Sequence, residues 1–175
     1  MGHKVLQKNI LLTGPPGCGK STLIEKIVAQ IKGPCTGFLT RELRERGRRA
    51  GFSMATLDGR RGIMAHKDIR SRYRVGKYGV NLPDIDTIAV PAMVAERDHL
   101  VVVVDEIGKM ECFSPMFRKT LLRVLDGPNT VLGTIALKGD VFINAIKERP
   151  DTRVLQVFED NRDGLAEDVL KMVHP

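Results

Sequence analysis

Apolar positions along the chain fall into two alternating periods. Asn9–Thr13 is a short apolar run that ends in a glycine-rich turn, and it reads as a buried strand. Ser21–Ile31 then carries Leu23, Ile24, Ile27, Val28 and Ile31 at helical spacing, with Gly33-Pro34 to stop it. Cys35–Leu43 is strand-like. Between Gly47 and Leu82, β-like pieces (Gly51–Leu57, Gly62–Ala65, Tyr73–Leu82) alternate with glycines, which predicts one or two hairpins rather than a crossover helix. Asp84–Asp98 predicts a helix kinked at Pro91. Leu100–Val104 predicts a core strand, and Ser114-Pro115 an N-cap and first-turn proline for a helix reaching about Leu125. Thr130–Ala136 follows as a strand, Val141–Glu148 as a short helix, Arg153–Phe158 as a strand and Gly164–Val173 as a closing helix.

Outside the hairpin region, buried strands alternate with amphipathic helices. That order predicts an α/β fold with a mostly parallel sheet and helices on both faces. With 175 residues the chain suits one domain, 1–175, carrying a basic antiparallel hairpin insertion at about 41–82. Hydrophobic residues at 42% and charged residues at 28% support a packed core and argue against global disorder. The longest clean apolar run, Leu100–Val104, is far short of the ~20 residues of a membrane span. Met1–Asn9 has no apolar signal stretch, so no membrane or export role is expected and a cytoplasmic location is. Cys18, Cys35 and Cys112 form no C-x-x-C pair, which disfavours a disulfide scaffold or a structural zinc site. His3, His66, His99 and His174 lack metal-ligand spacing and read as surface residues.

Charge changes the picture in one place. The formal net charge is +7, but residues 41–77 alone hold ten Arg and two Lys against four acids, a net +8, so the rest of the chain is −1. Such a concentration is either a solvated face or a platform for phosphates, of a nucleotide or of a nucleic acid. Aromatic residues at 5%, with no Trp, weigh against a base-stacking single-strand platform.

The candidate chemistry begins at Gly14-Pro15-Pro16-Gly17-Cys18-Gly19-Lys20-Ser21, which matches G-x-x-x-x-G-K-[ST] between a strand and a helix. Glycines let the backbone curl so that successive N–H groups point inward and form an anion nest. The following helix begins with unpaired N–H groups and a positive dipole end, and Thr22 lies in its first turn. Lys20 is placed to reach the β- and γ-phosphates, and the Ser21 hydroxyl to ligand Mg²⁺. Cys18 is a spacer that contributes backbone.

Val101–Val104 delivers Asp105 to the carboxyl end of a strand, where open α/β sheets bind ligands. Asp105 is expected to hold Mg²⁺ directly or through a water. Glu106 is expected to orient, or take a proton from, the water that attacks the γ-phosphate. A helix N-cap with an acidic first turn is the plainer alternative. Lys109 lies just beyond, either adding positive charge at the transition state or lying on the surface. Thr134 ends the run Val131–Thr134, and if that strand neighbours the Asp105 strand, its hydroxyl would face the γ-phosphate or the water. Asn161 and Arg162, after the last strand, either contact a nucleotide base or turn the chain. No N-K-x-D-like guanine code is present.

GPPGCGKST, GFLTRELR at 37–44, VGKYGVNL at 75–82, VVVVDEIGKME at 101–111, GTI at 133–135 and NR at 161–162 together resemble the small nucleoside-triphosphatase family of thermophiles and archaea, over nearly the whole chain. The resemblance implies a P-loop fold of the RecA/AAA-like branch. It also implies Mg²⁺-dependent hydrolysis of ATP, GTP and other nucleoside triphosphates to diphosphate and phosphate, with little base selectivity. Carried over by position, Gly14–Ser21 and Asp105, Glu106, Ile107 and Gly108 become the nucleotide site, with Glu106 the general base. Cys112 stands where the family more often has Leu. A monomer is expected. Two rival readings use the same loop: a small nucleotide kinase, with residues 41–77 as an Arg-rich lid, and a nucleic-acid-stimulated ATPase. Arg41, Arg44 and Arg74 are candidates for an arginine that acts on the transition state in cis.

Overall fold

The computed structural model describes residues 6–173. His3 and His174 lie outside them. Nine strands form one sheet: β1 (Asn9–Thr13), β2 (Cys35–Glu45), β3 (Arg48–Thr56), β4 (Arg61–His66), β5 (Arg74–Val75), β6 (Tyr78–Val80), β7 (Val101–Ile107), β8 (Thr130–Ile135) and β9 (Thr152–Gln156). Their order is β5-β6-β4-β3-β2-β7-β8-β1-β9. From β2 to β9 across the sheet every pairing is parallel, and from β2 to β5 every pairing is antiparallel. The expected hairpin insertion is therefore an extension of the same sheet.

Parallel strands covered on both faces require apolar residues at every position, and β7 meets that demand. Val102 and Val104 join one core with Leu11, Phe38, Phe117 and Leu121, while Val101 and Val103 join the other with Ile10, Leu12, Ile24 and Ile27. The second core is covered by α1 (Lys20–Val28) and the C-terminal helix α5 (Arg162–Val173). The first is covered by three helices. One is α2, a continuous run over residues 82–92 with a wide π turn at Ile85–Ala89; the others are α3 (Pro115–Asp126) and α4 (Val141–Lys147). Ser114 caps α3 as its sequence predicts, accepting from the Phe117 N–H at 2.9 Å with Pro115 in the first turn. Gly37 permits the closest approach in the sheet: at φ +117°, a Cβ there would stand 1.9 Å from the Val103 carbonyl oxygen.

The helix expected over Asp84–Asp98 stops at Ala92. The wide turn sits just ahead of Pro91, where a missing N–H and the ring disturb the regular ladder. The remainder is held as an irregular connection by Asn129, which accepts from the Leu100 N–H at 3.1 Å and donates to the Arg97 carbonyl at 3.4 Å. Tyr73–Leu82 is not one strand. Gly76, at φ +56°, turns the chain between β5 and β6, and Leu82 opens α2. His66 also departs from the surface reading. It is partly buried, with ring nitrogens 3.2 Å from Glu45 and 3.5 Å from Asp68. Lys67 reaches the same Glu45 carboxylate, at 2.5 Å, so this ion cluster fastens the β2–β3 tip to β4. Among the described residues no helix is long and apolar enough to cross a membrane.

Candidate active site

The carboxyl ends of β1, β2, β7 and β8 meet at one edge of the parallel sheet, and a cleft of about 910 Å³ opens there. The glycine loop after β1 forms one wall. Gly17 and Gly19 lie at φ +80° and +95°, a left-handed conformation that L side chains rarely adopt. A Cβ on Gly14 would stand 2.6 Å from the Val157 carbonyl oxygen. Helix α1 begins at Lys20 with no side-chain cap and no acidic residue in its first turn. Its free N–H groups therefore face the cleft, together with Gly14, Pro16, Gly17, Gly19, Lys20, Ser21 and Thr22. The Lys20 ammonium donates to the carbonyls of Gly14 and Pro15 at 3.0 and 3.1 Å, which folds it over the loop. Cys18 is buried, with its sulfur in the α1/α5 core, and so contributes backbone only.

Opposite the loop, β7 places Asp105 behind the cleft wall, next to Thr40 and Glu106, which line it. Asp105 is fully buried and held from both flanking strands. Thr134, at the end of β8, donates to Oδ1 at 2.5 Å, while the Thr40 N–H and hydroxyl of β2 approach Oδ2 at 3.2 and 3.4 Å. Burial pushes this carboxyl above its ordinary pKa, and the Thr134 and Thr40 hydrogen bonds oppose that shift. Glu106 faces the cleft. Burial raises its pKa too, Lys20 pulls it back down, and the neighbouring Asp105 raises it. The β7–β8 register shifts between Val104 and Ile107, and such an irregularity re-aims side chains near functional sites.

Several sequence expectations change here. Thr134 does not present its hydroxyl to the cleft: it is fully buried and bonded to Asp105 because β8 pairs directly with β7. Ile107 is buried in the core packed by α3 and is not part of the cleft wall, whereas Gly108 is. The Asn161 amide is engaged within its own turn, accepting from the Phe158 N–H at 2.8 Å and donating to the Gln156 carbonyl at 2.9 Å. It therefore closes the chain before α5 and is not left to read a base. Arg162 lies over the glycine loop, its guanidinium 3.2 Å from where a Cβ on Gly19 would stand.

Of the candidate arginines, Arg41 lines the cleft and pairs with Glu25 of α1 at 2.8 Å. Arg44 pairs with Glu42 at 2.7 Å, and Arg74 donates to the Lys77 carbonyl at 2.6 Å. Sequence reasoning missed Thr40, Glu25, Arg49 and Lys138, all of which line the cleft. Only the register of β2 against β7, not any motif, brings Thr40 to Asp105. Arg49 closes on Glu42 at 2.6 Å, and its guanidinium carbon lies 5.6 Å from the Phe52 ring centre. A smaller cavity of about 370 Å³ lies beyond Lys109 and Lys138, walled in part by Cys112 and Phe113; it includes no residue of the glycine loop. Burial pushes the Cys112 thiol up to about 12, so it stays protonated at neutral pH.

A glycine-rich loop after β1, a buried aspartate near the end of β7 and a strand, β8, interposed between them define a P-loop nucleoside-triphosphatase fold of the RecA/AAA-like branch. Comparison with known proteins agrees. Residues 9–170 match the NTPase family, and the chain belongs to it. It is 44% identical over 162 residues to the nucleoside-triphosphatase THEP1 of Thermotoga petrophila, covering 92% of this chain and 90% of the relative. It is 37% identical to the human cancer-related nucleoside-triphosphatase over 185 residues, covering 96% and 97%. The crystal structure of THEP1 from Aquifex aeolicus superposes with a TM-score of 0.85 at 35% identity, covering 95% of this chain and 99% of that one. The solution structure of the human protein gives 0.81 at 35%, covering 95% and 97%.

Proposed function

We propose that the protein is an Mg²⁺-dependent nucleoside-triphosphatase that hydrolyses ATP, GTP and other nucleoside triphosphates to diphosphate and phosphate with little base selectivity. The observation that carries this reading is the placement of Glu106 in the same cleft as Lys20, directly after the buried Asp105. Loop N–H groups and Lys20 bind the β- and γ-phosphates. Glu106 takes a proton from the water that attacks the γ-phosphate. A carboxylate raised by burial is a better base for that transfer than an exposed one. Asp105, clamped by Thr134 and Thr40, fixes the negative charge beneath the site.

Mg²⁺ fits the residues present. Ser21 lines the cleft and the Asp105 carboxylate lies buried behind its wall, so both donors are hard oxygens. Ser21 and Asp105 would hold the ion, which when bound neutralises charge on the β- and γ-phosphate oxygens. The Asn161 amide, engaged within its own turn, supports the reading of loose base selectivity. A cytoplasmic monomer is our reading, consistent with three free cysteines.

The test is phosphate release from ATP, GTP, CTP and UTP with Mg²⁺ and with chelator, alongside Lys20→Ala. All four nucleotides are expected to be hydrolysed only with Mg²⁺, and Lys20→Ala to lose nucleotide affinity. Turnover of one nucleotide alone, or release only when a second phosphoryl acceptor is added, would count against the proposal.

A further inference from the structure

The cavity of about 370 Å³ beside the nucleotide cleft has no part in the hydrolysis of nucleotides. Its volume falls at the lower end of the range for small-molecule sites, about 300–1,000 Å³. Two chemistries meet in its wall. Cys112, Phe113 and Ile143 supply apolar surface, whereas Lys109, Lys138 and Arg118 set three positive charges against the single carboxylate of Asp140.

That carboxylate is already engaged. Asp140 accepts from the Arg118 guanidinium at 2.6 Å through Oδ2 and from the Ile143 N–H at 3.0 Å through Oδ1. It therefore offsets Arg118 and leaves the two lysines, both exposed, without a counter-charge in the wall. The wall is also braced. Arg118 of α3 donates to the Cys112 carbonyl at 2.6 Å, and its guanidinium carbon lies 4.8 Å from the Phe142 ring centre. The Phe113 ring centre sits 5.3 Å from that of Tyr73. A Cβ on Gly139 would stand 2.3 Å from Ile143 Cγ2, so the absence of a side chain there lets the loop before α4 close on Ile143. A wall fixed in this way lowers the ordering cost of binding. Apolar contact gives a ligand affinity here, and the two lysines select its charge.

We propose that this cavity is a second binding site, for a small organic anion: a compact apolar body, such as an aromatic ring, carrying one carboxylate, sulfonate or phosphate group. The body packs on Cys112, Phe113 and Ile143, and the anionic group faces Lys109 and Lys138. Those two lysines also line the nucleotide cleft, so the two sites share their cations. Two anions drawing on the same lysines weaken each other's binding, and by linkage the effect is equal in both directions.

The experiment titrates naphthalenesulfonate into the full chain by calorimetry, with the neutral naphthalenemethanol as comparison, and maps the site by amide chemical shifts. Saturable one-to-one binding is expected, with the shifts gathered at residues 112–113 and 138–143. The neutral compound should bind about threefold more weakly or worse, and Lys138→Glu should weaken the sulfonate by about threefold or more. Cys112→Leu, whose added carbons enter the cavity, should weaken it by about tenfold or more and still bind a nonhydrolysable ATP analogue within about twofold of wild type. Saturating ATP analogue with Mg²⁺ should weaken the sulfonate by about two- to fivefold without abolishing its binding. No saturable binding, equal affinity for the neutral compound, or unchanged affinity in Lys138→Glu or in folded Cys112→Leu would overturn the proposal. Complete displacement by the ATP analogue would overturn it too, because the probe then sits in the nucleotide cleft. If Cys112→Leu does not fold, Lys138→Glu and the shift map decide.

Discussion

Thr134→Val tests whether the clamp on Asp105 matters to turnover. Valine keeps the shape of threonine but removes the hydroxyl that donates to Asp105 Oδ1 at 2.5 Å in a fully buried position. Asp105 is already pushed toward its neutral form by burial. A hydrogen bond to a charged group contributes about 1.5–3 kcal/mol. That amount, lost from the ionised form, corresponds to about 10- to 150-fold in kcat. Thr40→Val provides an internal scale. It removes only a hydroxyl contact at 3.4 Å and leaves the Thr40 N–H on Oδ2 at 3.2 Å, so the loss should stay below about threefold, for a weak bond of ~0.5 kcal/mol. The assay is steady-state phosphate release at saturating nucleotide and Mg²⁺, with melting temperature as the fold control. Thr134→Val with kcat within about twofold of wild type, or Thr40→Val as damaged as Thr134→Val, would refute the reasoning.

Gly37→Ala should destabilise the fold by about 3 kcal/mol or more in urea titrations, because its Cβ would meet the Val103 carbonyl oxygen at 1.9 Å from an already left-handed backbone; a loss below about 1 kcal/mol would contradict this. Glu111 has a folded-state pKa raised by burial and by Glu106, so the folded chain keeps a proton that the unfolded chain releases. Its contribution is fully present below the unfolded value of ~4.3 and declines as pH rises toward the folded one. Glu111→Gln stays neutral, so wild type should lose melting temperature relative to this variant as pH rises above about 5, and parallel curves would contradict the sign. Arg41→Ala should lower kcat by about tenfold or more, since Arg41 stands in the cleft where phosphate charge develops. Arg74→Ala should not, because its guanidinium is held on the Lys77 carbonyl outside the cleft wall; the reverse order would contradict the geometry.

The local pieces of this site were legible in the sequence where one short segment carries both the pattern and its punctuation. The glycine loop between β1 and α1, the valine run that ends at Asp105 and the Ser114-Pro115 start of α3 are of this kind. What the sequence did not show depends on which strand lies beside which. Thr40 reaches Asp105 only because Phe38 pairs with Val104, and Thr134 turns inward only because β8 is the strand next to β7. Nothing local to the run Gly108–Cys112 signals that Glu111 is buried. The overlong α2 estimate had a similar cause: Glu96, Arg97 and Asp98 look like a helical surface, but Asn129, some thirty positions away, sets that backbone.

The most direct test of the central claim compares nucleotide binding with turnover in Glu106→Gln. If Glu106 is the base that activates water in the cleft, the variant should bind a fluorescent ATP analogue within about twofold of wild type and release phosphate at least about 100-fold more slowly. Undiminished phosphate release from Glu106→Gln would contradict the account.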